Sequence, residues 1–115
     1  MDADKFYPSQ FERWEKGEQL YEQYNEEYFN YRLPVVKVGF YKMKNCYGVI
    51  FKIHNARFVS HICLNPFFKD YETTLRQTLL HEMVHVLHNN KYGHGPKFKK
   101  EIKRLLLLGA FDTTL

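Results

Sequence analysis

Cysteine is scarce: Cys46 and Cys63 are the only two in 115 residues. They lack the close C-x-x-C spacing that pinches a metal between short loops, so a four-cysteine zinc ribbon is excluded. The N-terminal stretch has no apolar core of a signal peptide, and the run Leu105 to Leu108 is far too short for a membrane anchor. The expectation is a cytoplasmic protein with reduced thiols and no membrane partner. Internal repeats and low-complexity linkers are missing as well. What remains is one domain over residues 1–115 with room for a single core; a monomer is favoured, with the oligomeric state left open.

Acidic residues run out early. Residues 1–30 carry eight acids against three bases, whereas residues 31–115 carry five acids against fourteen bases, so the net charge of +4 conceals an acidic opening and a basic remainder. Lys91, Lys97, Lys99, Lys100, Lys103 and Arg104 concentrate that positive charge near the end. Such a cluster can attract nucleic acid or acidic protein, or can be an ordinary solvated helix face; it lacks the interleaved aromatics of a base-stacking platform.

Aromatic residues are plentiful at 17%, with ten Phe and nine Tyr as bulky filling for a small core. Pro8-Ser9-Gln10-Phe11-Glu12 has the form of a capping box, and Phe11, Trp14, Tyr21, Tyr24 and Tyr28 follow at helical spacing, with Gly17 a weak point that leaves the start open. After Leu33-Pro34 the period changes to two. Segments 36–41, 47–53 and 57–64 alternate as strands, the first two as a hairpin about the Lys42 to Asn45 turn. A helix from Asp70 or Thr73 to Asn89 or Asn90 comes next, and Pro96 opens another that Gly109 ends. The predicted architecture is α+β, a small three-stranded antiparallel sheet packed on three helices. Its third strand is expected nearest the functional cleft, where an open edge can receive an extended peptide.

The chemistry centres on His81-Glu82-Met83-Val84-His85. Two histidines four apart lie on one helix face a turn apart, so both imidazoles can reach one Zn²⁺. Glu82 lies on the flank of that face, where its carboxylate can take a proton from a water activated by the metal. A catalytic zinc needs a third protein ligand. His94 is favoured, because Asn89 to Gly93 carries turn residues that let the chain reverse; Glu101 is the carboxylate option; His88 lies about 10 Å along the axis from His81, beyond reach of a shared ion. Tyr92, His88 and His61 are candidates to stabilise an oxyanion. His54 and His61, lone strand histidines, are otherwise structural or surface residues.

The string His81 to His85, followed by Gly93-His94-Gly95-Pro96-Lys97-Phe98, resembles the SprT-like zinc metalloproteases, whose relatives include the Spartan proteases that digest proteins crosslinked to DNA. The segment Leu20 to Pro34 is similar to the opening helix and first strand entry of that domain, and the resemblance runs from about Leu20 to Leu105. It implies a zincin-like minimal metalloprotease domain, one Zn²⁺ per chain held by His81, His85 and His94, and Glu82 as catalytic base. The activity implied is endopeptidase cleavage of a protein or peptide, with DNA–protein crosslink repair as its setting. Many members continue into a four-cysteine ribbon or DNA-binding segments; this sequence reads as the minimal form without them. Two other readings stand beside it: a nucleic-acid-associated zinc-binding module with weak or no proteolysis, and a structural zinc domain closed by His81, His85, His94 and Glu101 together.

Overall fold

Ile62, Cys63 and Leu64 are three apolar residues in a row, and a strand of that kind wants cover on both faces. In the computed structural model, which describes residues 6–112, they belong to an interior strand. The sheet has four strands, β1 (Glu12–Arg13), β2 (Lys37–Phe40), β3 (Gly48–Phe51) and β4 (His61–Leu64), in the order β1-β2-β4-β3. It is mixed: β2 and β4 run parallel, with Val38 beside Ile62, while β1–β2 and β3–β4 are antiparallel.

This corrects the three-stranded antiparallel expectation. β2 and β3 do not form a hairpin, because residues 41–47 carry the chain across the end of the sheet and β4 fills the place between them. All four β4 residues are buried. The strand next to the helical cleft is therefore edge strand β3, not the third predicted strand.

The helices are α1 (Glu15–Phe29), α2 (Glu72–Leu87) and α3 (Pro96–Leu107). The expected capping box at Ser9 and Glu12 does not form: Pro8–Gln10 is a single 3-10 turn, Glu12 enters β1, and α1 starts after Trp14 without a side-chain cap. Gly17 lies in the first turn. A β-carbon there would stand 2.4 Å from Trp14 Cε3 and 2.8 Å from Val38 Cγ1, so glycine lets the helix lie close on the sheet. Neither Asp70 nor Thr73 caps α2; Tyr71 precedes it, and Lys16 pairs with Glu72 to tie the starts of α1 and α2 together.

One face of the sheet, bearing Val38, Phe40, Ile50, Ile62 and Leu64, packs on Leu20 and Tyr24 of α1 and on Leu75, Leu79, Leu80 and Met83 of α2. Each such side chain contributes about 1.5–3 kcal/mol by leaving water, which holds α2 in one rotation about its axis. The opposite face carries Tyr41, Phe51 and Cys63 under a lid of Phe6 and Phe11. Phe11, predicted to share the α1 stripe, belongs to this second cluster. Cys46 and Cys63 are free thiols, and burial pushes Cys63 up to about 12. No helix among the described residues is long and apolar enough to cross a membrane.

Candidate metal centre

Because α2 is fixed by its buried side, its remaining face is fixed too, and that face carries His81 and His85. Their ring centroids are 5.0 Å apart. Asn89 and Asn90 follow in left-handed backbone, φ 49° and 60°, a conformation asparagine tolerates better than most residues. Asn90 N–H donates to His85 O at 2.8 Å and closes the helix end. The Asn89 side chain then accepts from Val59 N–H at 3.1 Å and donates to Arg57 O at 3.1 Å, binding this reversal to the segment before β4. Gly93, at φ 51°, completes the turn, and His94 arrives opposite the helix.

His81, His85 and His94 each offer a ring nitrogen, and the three nitrogens lie within 4.8 Å of one another. His85 Nε2 and His94 Nε2 face each other at 3.1 Å. Two neutral imidazole nitrogens so placed either share a proton or point both lone pairs at a common cation, and a third ring from α2 fits the second arrangement. Burial lowers the His85 pKa, an effect that the Glu82 carboxylate opposes and the His81, His94 and His88 rings reinforce. Neutral imidazole is the form that binds metal. The cluster can hold a metal ion.

Phe98, in the first turn of α3, is the packing partner of all three rings. Its centroid lies 5.0 Å from His81, 4.7 Å from His85 in a stacked arrangement, and 4.8 Å from His94. The sequence marked it only as part of an apolar helix face; its position four residues after His94, just past the Pro96 helix start, was the available signal.

Glu82 is 5% exposed, and its Oε2 lies 3.1 Å from His81 Nδ1. A buried carboxylate needs compensating charge or donors, and a cation among the imidazoles would supply the charge. Facing it is Gly48 of β3. Tyr47 O accepts from Asn65 N–H at 2.9 Å, so Tyr47, Val49 and Phe51 bond toward β4, and the alternate residues Gly48 and Ile50 turn their amides to the open edge. Between this edge, α2 and α3 lies a cleft of about 760 Å³, lined near the metal centre by Gly48, Thr78, His81, Glu82 and Phe98.

The other candidates lie elsewhere. Glu101 accepts from Arg104 Nη2 at 2.5 Å, and Arg104 also donates to Tyr28 O, so neither Glu101 as ligand nor Arg104 as an open basic contact agrees with its place in the fold. His88 packs edge-on to Tyr92, at 5.2 Å, outside the histidine cluster, and its Nδ1 is buried with no hydrogen-bond partner among the described residues. Tyr92 is exposed, with the Lys97 ammonium 4.1 Å from its ring. His61 is on the far face of the sheet, between Phe6 and Phe11, and is not brought to the metal centre. Lys91, Lys97, Lys99, Lys100 and Lys103 are exposed.

A family model described as the SprT-like family matches residues 17–111. Among curated proteins no match is found.

Proposed function

Because the chain belongs to the SprT-like family, we propose that it is a zinc-dependent endopeptidase. The observation that carries this reading is a cleft lined by a buried carboxylate, an open strand edge and His81, the last of which belongs to a cluster of three imidazoles. His81, His85 and His94 would hold the zinc. When bound it would supply Lewis-acid polarisation of the peptide carbonyl and acidify the attacking water.

The chain's own residues do the rest. Gly48 and Ile50 pair through their outward amides with an extended peptide, which orients the bond to be cut along the cleft. Glu82 accepts the proton of the attacking water and returns it to the leaving amine. Phe98 excludes water from one side of the ligand cluster and restrains all three rings. The His81 Nδ1 contact with Glu82 links the base to a ligand ring and fixes the orientation of both.

The exposed lysines of α3 favour substrates bound to nucleic acid, including proteins crosslinked to DNA. The alternative, a nucleic-acid-associated zinc module with little proteolysis, draws on the same lysines. Zinc-loaded wild type and Glu82→Gln, incubated with a denatured protein with and without single-stranded DNA, decide between them. The peptidase reading expects cleavage by wild type and a loss of about 10²-fold or more in the variant, which keeps its zinc. Equal cleavage by both, or none by either, sinks it.

A further inference from the structure

Phe98, Ile102 and Leu106 stand four residues apart on α3, so they form one stripe along that helix. All three line the cleft. Phe98 forms the inner end against the ligand rings, Ile102 is half-buried, and Leu106 is 58% exposed. Leu105, beside Leu106 in sequence, is fully buried in the core. The helix thus has one apolar side that packs and a second that faces an open cleft, beginning at the metal ligands.

We infer that this second stripe is a side-chain subsite: it receives a bulky apolar residue, leucine or phenylalanine in size, flanking the bond to be cut, and makes the enzyme select for such residues. The inference rests on the peptidase reading and names its substrate preference. Residues four apart on a helix are separated by about 6 Å along its axis. Alternate side chains of an extended peptide are about 6.8 Å apart and point the same way. A peptide paired with the outward amide of Gly48, which lines the same cleft as Ile102 and Leu106, therefore has a side-chain spacing that matches the stripe. An acidic side chain in that place would lose its hydration against Ile102 and Leu106 and lie near the Glu82 carboxylate, so aspartate and glutamate are rejected.

The test uses zinc-loaded Glu82→Gln protein and fluorescent octapeptides of one Gly/Ser frame, with a central position set to Leu, Phe, Gly or Asp. Anisotropy is expected to give Leu and Phe peptides binding at least about tenfold tighter than Asp. Adding Leu106→Lys, a change at an exposed position, should erase that preference and favour Asp; Ile102→Ala should weaken Leu and Phe binding alone. Equal binding of the series, or no binding, overturns the subsite, as does a Leu106-dependent dimer in sedimentation, which would make the stripe a self-contact. Cleavage of the same peptides by wild type separates the two readings. Preferential binding without cleavage removes the peptidase and leaves the stripe a peptide-binding site only; cleavage blind to the central residue keeps the peptidase and overturns the subsite.

Discussion

Gly48 lies against Glu82 with no room for a side chain: a β-carbon there would stand 2.7 Å from Thr78 Cγ2, 3.2 Å from Cys63 O and 3.4 Å from Glu82 Cγ. The edge strand and the helix carrying the carboxylate meet at this point. Gly48→Val is expected to force them apart, with a loss of about 1–3 kcal/mol in denaturant unfolding and a larger proportional loss of peptidase activity. A variant as active and as stable as wild type would show that the contact is not needed.

Elemental analysis should find one zinc per wild-type chain. His94→Ala is expected to lose most of it, whereas Glu101→Ala, which removes only the Arg104 partner, should keep it. Zinc retained by the first and lost from the second would reassign the third ligand.

Lys99→Glu with Lys103→Glu should weaken single-stranded DNA binding and flatten its salt dependence, each lost phosphate contact lowering the slope by about 0.7. Arg104→Ala should instead lower thermal stability, because its guanidinium joins α3 to Tyr28 O. DNA binding that is absent, or indifferent to the two lysines, removes nucleic acid from the proposed partners.

His61 gives a pH effect remote from the metal centre. Burial, with a smaller push from Lys37, lowers its pKa, and its surroundings are the Phe6, Phe11 and Phe51 side and the Ser60 hydroxyl, 2.8 Å from Nδ1. The unfolded chain then binds the proton more readily than the folded one. Stability contributed by neutral His61 is present above the unfolded value near 6.5 and is lost as pH falls through it toward the lower folded value. His61→Gln should therefore melt with a smaller drop between pH 7.5 and 5.5 than wild type; identical drops would count against the assignment.

The meeting of His81, His85 and His94, with Glu82 beside His81, was legible because it depends on spacing along one helix and on a turn, both local properties. The sheet order was not. Alternation in 36–41 and 47–53 says that each is a strand but carries no information on which neighbour it chooses, and the interior place of β4 depends on the cover its unbroken Ile62-Cys63-Leu64 run requires from both faces. Ser9 and Glu12 failed for a related reason: Glu12, in β1, pairs opposite Phe40 of β2, and strand pairing overrides a capping preference worth about 1 kcal/mol. Gly48 looked like one small residue in a strand, and only the approach of Thr78 and Glu82 gives it a role.

The asparagine reversal after α2 also bears on how quickly a bound ion exchanges. Two of the candidate ligands, His81 and His85, stand on a helix whose Leu79, Leu80, Met83 and Val84 are wholly enclosed, and the third, His94, reaches them from an exposed loop. Opening that loop removes one ligand without disturbing the other two, so release to a chelator should begin with departure of His94, and its rate should follow the hold of Asn89 on Val59 and Arg57 rather than the global unfolding rate.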